Sequence, residues 1–329
     1  MRPPEVLATA AGVAAAVHLW PHDALAQTRP GQPHIGVLCP TTCVGPALDA
    51  FRSALGEQGL REGQTVTLIY REAEGQLHRL PSLARELVER KVDVLFSSWG
   101  TAAPLALKQA TTTIPIVAGA VGDPLAAGLV DSLAKPGGNV TGFSTLALVL
   151  EGKRLELLRE IEPRIARIAV LWDPENPYSS LAFSELESAA EALGMRLMPV
   201  RVVRPQDLDA AFATIAVQRP DALLVPAYLV LVTERARIAA FAAASRLPAV
   251  YSQDEFVAVG GLASYGVDLP RLAARAAGYV DRILKGTNAA DLPIEQPTLF
   301  RMTINLKAAK ALGLTISPTL LARADEVIE

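Results

Sequence analysis

Ile35-Gly36-Val37-Leu38-Cys39-Pro40 and Ile168-Ala169-Val170-Leu171-Trp172-Asp173-Pro174 are the two stretches that decide the fold. Each is a short, almost continuously apolar run ending near a proline, the pattern of a strand covered on both faces. Each is followed by a helix, a strand, a helix and a further strand entered through Asp93 or Asp221. The echo implies two similar halves meeting near residue 145, although chance likeness between α/β strands would also produce it. Working outward, strand signals fall at 35–39, 66–70, 92–97, 114–118 and 140–143, then at 167–172, 197–202, 222–225, 249–251 and 262–265. Helical periodicity fills the gaps: Leu80, Leu83, Leu87 and Val88 make one apolar stripe, and Leu272, Ala276, Tyr279 and Ile283 another. The expected architecture is α/β, two doubly wound parallel-sheet lobes with a cleft between them. Strand character continues to about Thr303, beyond Pro293 and Pro297, so the lobes need not be contiguous. The expected division is 34–145 plus about 268–297 for lobe 1, and 146–267 plus about 298–329 for lobe 2.

With 329 residues, half of them hydrophobic, and a mean hydropathy of +0.28, the chain can build about two cored domains and is neither disordered nor a small disulfide scaffold. Lysine plus arginine number 31 against 34 acidic residues, a net charge of -3. No broad positive field is available for nucleic acid or an anionic membrane. Residues 1–26 hold an apolar run over 6–20 and then Ala24-Leu25-Ala26, an A-x-A cleavage site of a signal peptide. No later stretch is apolar for long enough to span a bilayer, so the mature chain is expected to be a soluble periplasmic protein. Cleavage would leave His34 and His78 as the only imidazoles and Trp99 and Trp172 as the only indoles. Cys39 and Cys43 have neither redox C-x-x-C nor paired-zinc spacing; a short-loop disulfide and two unpaired thiols are both open.

In open parallel sheets, ligands bind beyond the carboxyl ends of strands. Ser98, Trp99 and Thr101 follow the third strand; Thr101 suits either a ligand or a helix cap. Asp123 in Gly122-Asp123-Pro124 reads as a cap first and a ligand contact second. Ser144 ends the fifth strand, at the expected hinge. In the second half the candidates are Asp173, Asn176, Tyr228 and Asp254, the last able to hold a ligand amine or to bond its own loop. Trp99, Phe143, Trp172, Tyr228 and Tyr265 all sit at or near strand ends, either as a clamp on a ligand or as core filler, with Trp99 and Trp172 expected on opposite walls.

Catalytic motifs are missing from this inventory. Gly142-Phe143-Ser144-Thr145-Leu146 falls one residue short of a nucleophile elbow, and no late strand end carries a histidine base. There is no P-loop, no dinucleotide fingerprint after the first strand and no dispersed set of metal ligands. No cofactor is expected, and nothing argues for carboxylate-only catalysis.

Longer motifs carry a resemblance. They are Tyr70-Arg71 with Glu74-Gly75-Gln76, Thr111-Thr112-Thr113-Ile114-Pro115-Ile116-Val117, Gly122-Asp123-Pro124, Pro136-Gly137-Gly138-Asn139-Val140-Thr141-Gly142 and Lys153-Arg154-Leu155-Glu156-Leu157-Leu158. Across nearly all the mature chain the sequence resembles the ABC-transporter substrate-binding protein family with the type I periplasmic-binding fold, the group that includes tryptophan/tyrosine-type components. The resemblance implies a monomeric, non-enzymatic solute receptor. Such a receptor closes on a small amino-acid-like or carboxylate ligand and delivers it to a permease and ATPase; the rings at the strand ends leave open whether that ligand has an aromatic or apolar body. The family's cleft loops correspond here to 98–101, 122–123, 173–176, Tyr228 and Asp254. Two departures stand out: a leader without the arginine-rich start of relatives, and cysteines in a first loop that is often polar. A ligand sensor for a membrane signalling partner is the alternative, and an enzyme using the cleft carboxylates a more distant one.

Overall fold

The computed structural model describes residues 31–145, 148–175, 177–298 and 300–329; the signal-peptide reading of 1–26 and the Asn176 candidate lie outside them. Thirteen strands occur among the described residues: β1 His34–Cys39, β2 Thr67–Glu72, β3 Val94–Ser97, β4 Ile116–Val121, β5 Val140–Ser144, β6 Arg167–Trp172, β7 Arg196–Arg201, β8 Ala222–Val225, β9 Ala249–Tyr251, β10 Ala263–Val267, β11 Ile294–Glu295, β12 Phe300–Asn305 and β13 Glu326–Ile328. They form two sheets, ordered β11-β5-β4-β3-β1-β2 and β13-β12-β10-β9-β8-β6-β7. All pairings are parallel except β10 with β12. The chain therefore passes between the sheets three times, after β5, after β10 and after β11.

The two echoing stretches are β1 and β6, and they hold equivalent places: β1 lies between β2 and β3, β6 between β7 and β8. Ile35, Val37 and Leu38 are buried, as are Ile168, Val170 and Leu171, because helices cover both faces. β4 starts two residues later than the sequence suggests. Pro115 has no N–H to donate, so the ladder opens at Ile116, whose N–H reaches Asn139 O at 2.7 Å.

Helix Leu269–Leu284 ties the second crossing to the first sheet. Asp268 caps it by accepting from Arg271 N at 3.0 Å. Its Leu272, Ala276, Tyr279 and Ile283 stripe is buried in one core with Ile35, Val37 and Phe51. A segment that leaves the second sheet at β10 thus packs on the first before β11 and β12 divide between them. The carboxyl ends of β3, β4, β8 and β9 consequently meet around one space.

Candidate functional site

That space is a cavity of about 450 Å³ walled from both sides, within the roughly 300–1,000 Å³ usual for small-molecule sites. Trp99, Thr101 and Asp123 contribute from the loops after β3 and β4, Tyr228 from the loop after β8, and Ser252 with Gln253 from the end of β9. Helix Leu148–Ile161 adds Glu151 and Arg154, and Val267 with Leu269 closes the side where the chain crosses.

Trp99 is half-buried and packs against the apolar cores of both halves, touching the group around Phe51 on one side and that around Tyr251 on the other. An indole shared between two halves can be repacked by a movement of either. Tyr228 is 6% exposed and its hydroxyl accepts from Ser179 Oγ at 2.8 Å, which holds the ring against the cavity. Thr101 precedes helix Ala102–Ala110 but makes no side-chain capping bond, so its hydroxyl is not used as a cap. Asp123 caps no helix, because 124–128 is a turn; its Oδ1 accepts from Leu125 N and Ala126 N, both at 3.0 Å, and closes that turn.

The other candidates lie elsewhere. Ser98 borders a separate recess beside the cavity rather than the cavity itself. Ser144 is fully buried, and its Oγ donates to Gly122 O at 3.0 Å, tying β5 to the loop after β4. Asp173 accepts from Glu175 N at 2.9 Å in its own turn. Asp254 lies 3.7 Å from Arg301 Nε, which favours the local reading of that carboxylate. None of Ser144, Asp173 and Asp254 is a wall of the cavity.

The expected pairing of Trp99 with Trp172 across a cleft is not what the geometry gives. Along β6, Ile168, Val170 and Trp172 share the face turned to helix Pro177–Ala192, and Trp172 rests on Phe183 with ring centroids 5.2 Å apart. Strand alternation sends it away from the cavity. Phe143 is likewise core, 5.0 Å from the Tyr279 ring, with Arg275 5.3 Å from its centroid. Tyr265 packs near Phe300.

Sequence reasoning missed Glu151 and Arg154. They form an ion pair at 2.6 Å with side chains only 5% and 4% exposed, and Arg154 Nε also donates to Tyr265 O at 2.8 Å. In sequence they are an ordinary i, i+3 pair on a helix, and although Arg154 falls in the Lys153–Leu158 motif, nothing in that motif marks a cavity residue; burial at the cavity does.

The recess beside the cavity is about 60 Å³. Cys39 and Cys43, joined by a disulfide with Sγ atoms 2.05 Å apart, form one wall, and Gln253 and Glu255 the other. Burial pushes the Glu255 carboxyl above the usual carboxylate range, Asp254 pushes it the same way, and a backbone hydrogen bond and Arg235 oppose. A raised carboxyl destabilises the fold once the unfolded chain would ionise, and has no effect where both states are protonated. Glu255→Gln is therefore expected to raise the urea midpoint near neutral pH, with the gain shrinking as the pH falls toward about 4, close to the unfolded-state carboxyl pKa. A gain independent of pH would contradict this account.

The sequence profile described as "ABC transporter substrate binding protein" matches residues 41–328. A tyrosine-binding protein of Clostridioides difficile (strain R20291) is 28% identical over 273 residues, covering 82% of this chain and 78% of its own. Among solved structures, a Streptococcus pneumoniae ABC domain in complex with L-Trp is similar at a TM-score of 0.82 and 27% identity, over 90% of this chain and all of its own. The ligand-free, open structure of a Clostridium difficile substrate binding protein with adhesive properties matches at 0.68 and 26% identity, over 90% of this chain and 99% of its own.

Proposed function

The chain belongs to the ABC transporter substrate-binding protein family, and on that premise we propose that it closes two lobes around an amino acid with an aromatic or large apolar side chain. The family is one of binding proteins, not enzymes, so the polar groups of the cavity hold a ligand and do not transform it. The observation that carries the reading is the 450 Å³ cavity itself, bounded by strand ends of both sheets, with the Trp99 ring resting on both cores. The closer match to the L-Trp complex than to an open, ligand-free structure at nearly equal identity favours a closed form. An aromatic side chain enclosed there would bury roughly 200 Å², worth about 5 kcal/mol before association costs.

In this reading lobe 1 comprises 34–145 and about 268–297, lobe 2 comprises 146–267 and about 298–329, and the three crossings are the hinge. After loss of residues 1–26 the protein works in the periplasm as a monomer and presents its ligand to a permease and ATPase. The Cys39–Cys43 disulfide suits that oxidising compartment. Among the described residues no helix is long and apolar enough to cross a membrane.

Calorimetric titration of the mature protein with L-tryptophan, L-tyrosine, L-phenylalanine and L-leucine tests the reading. Small-angle scattering is expected to show a smaller radius of gyration with the bound amino acid than without, as hinge closure requires. Trp99→Phe is expected to weaken binding by about 0.5–1.5 kcal/mol through lost ring area and geometry. Binding by none of the four, with a different class of molecule released on denaturation, would reject the amino-acid reading.

A further inference from the structure

We infer that the Cys39–Cys43 disulfide positions the wall on which the second lobe closes, so that ligand affinity depends on a crosslink outside the ligand cavity. The inference rests on the lobe-closure reading above and adds a positioning element to it. Neither cysteine is among the residues that wall the large cavity. The disulfide instead forms one side of the recess of about 60 Å³, opposite Val232, Gln253 and Glu255. The recess therefore lies between the two halves of the chain, and it shares Trp99, Gln253 and Leu269 with the cavity.

Hydrogen bonding across the recess is incomplete in a complementary way. Among the described residues no side chain caps helix Pro46–Glu57, so the N–H groups at its start are donors without an intrahelical partner. Gly45, Ala47 and Leu48 at that start border the recess. On the opposite wall Gln253 Oε1 and Glu255 Oε2 are buried acceptors with no hydrogen-bond partner, and Gln253 is only 8% exposed. The space has room for about two waters, enough to bridge donor to acceptor between the lobes. Such a bridge needs both walls in register, and the disulfide holds the wall of the first lobe. Cys39 O accepts from Ala73 N at 3.0 Å and Pro40 O from Gly75 N at 2.9 Å, while Cys43 N donates to Glu72 Oε1 at 2.6 Å. The crosslinked loop is thus fastened to the segment that leads to Leu77, and both Pro40 and Leu77 wall the cavity. Gly45, at φ +114°, is the joint between Cys43 and the helix, and without a Cβ it offers little resistance of its own to displacement. Opening the crosslink frees the loop toward the helix start and toward Pro40 together.

Calorimetric titration with L-tryptophan, L-tyrosine, L-phenylalanine and L-leucine compares three forms of the mature protein: oxidised, reduced with dithiothreitol, and the double variant Cys39→Ser with Cys43→Ser. Dithiothreitol gives up two electrons and two protons, so the S–S bond breaks to two thiols while the reagent closes to its own cyclic disulfide. Thiol counting verifies the reduction, and the double variant decides where the buried sulfurs resist the reagent. The forms without the crosslink are expected to bind the tightest of the four about 10-fold more weakly, the lost preorganisation appearing as faster dissociation. A double variant with a lower urea midpoint but an affinity within about 2-fold of the wild type would overturn the inference, because a crosslink that only staples the fold acts on the unfolded chain. Failure of the double variant to fold would overturn it too, in favour of a folding role. Should none of the four bind the oxidised protein, the amino-acid reading fails and small-angle scattering of the ligand-free forms decides: a larger radius of gyration without the crosslink upholds the inference, and equal radii overturn it.

Discussion

Gly142→Ala and Gly266→Ala are each expected to cost more than about 3 kcal/mol of stability, measured as a loss of urea midpoint. A Cβ at Gly266 would lie 1.9 Å from Ser252 O, and one at Gly142 would lie 2.0 Å from Ala118 O. Neither obstacle is the end of a flexible side chain. Ala118 is a β4 residue paired to Gly142, and Gly266 is locked opposite Arg301 on β12, so relief requires moving backbone held by a sheet ladder. At Gly142 a φ of +137° adds strain that any L side chain would feel. Gly266 has a functional consequence too: Ser252, the residue displaced, is a wall of the cavity, so a surviving variant should also bind more weakly. Gly278, inside helix Leu269–Leu284, is the control, because a Cβ there meets nothing within 4 Å. Gly278→Ala should gain about 0.5–1 kcal/mol through helix propensity. Equal midpoints for all three variants would show that the close backbone approaches do not constrain the fold.

The strands that sequence reasoning located are those whose burial on both faces leaves a continuous apolar run, as in β1, β6 and β8. β11 has two residues, and β13 is an edge strand with Glu326 and Val327 exposed. Neither needs an apolar run, and neither has one. The antiparallel turn of β12 against β10 is equally silent, because pairing direction leaves no mark on composition. At the cavity, Trp99, Thr101, Asp123 and Tyr228 were legible because strand ends follow from strands. Ser252 and Gln253 were passed over for their neighbour Asp254, since a charge draws the eye where burial is unknown. Trp172 was misjudged for a physical reason: ending a strand says nothing about which face the last side chain takes.

Arg154→Met is expected to cost about 3–5 kcal/mol, because it strands Glu151 as a buried carboxylate without its cation. It also leaves Tyr265 O without the Nε donor at 2.8 Å. The double replacement Glu151→Leu with Arg154→Met removes both charges together, and apolar side chains of similar size in place of a buried pair are often neutral or stabilising. Its urea midpoint should therefore return to within about 1 kcal/mol of the wild type, a recovery that non-additivity between touching residues allows. Ligand binding should not return with it, since the double variant presents an apolar wall where Glu151 Oε2 waits without a partner. Stability that recovers while binding stays lost would mean that the pair is kept for the ligand and not for the fold. If the double variant were as unstable as Arg154→Met alone, the pair would be a structural necessity of helix Leu148–Ile161, and its place in the cavity wall would be incidental.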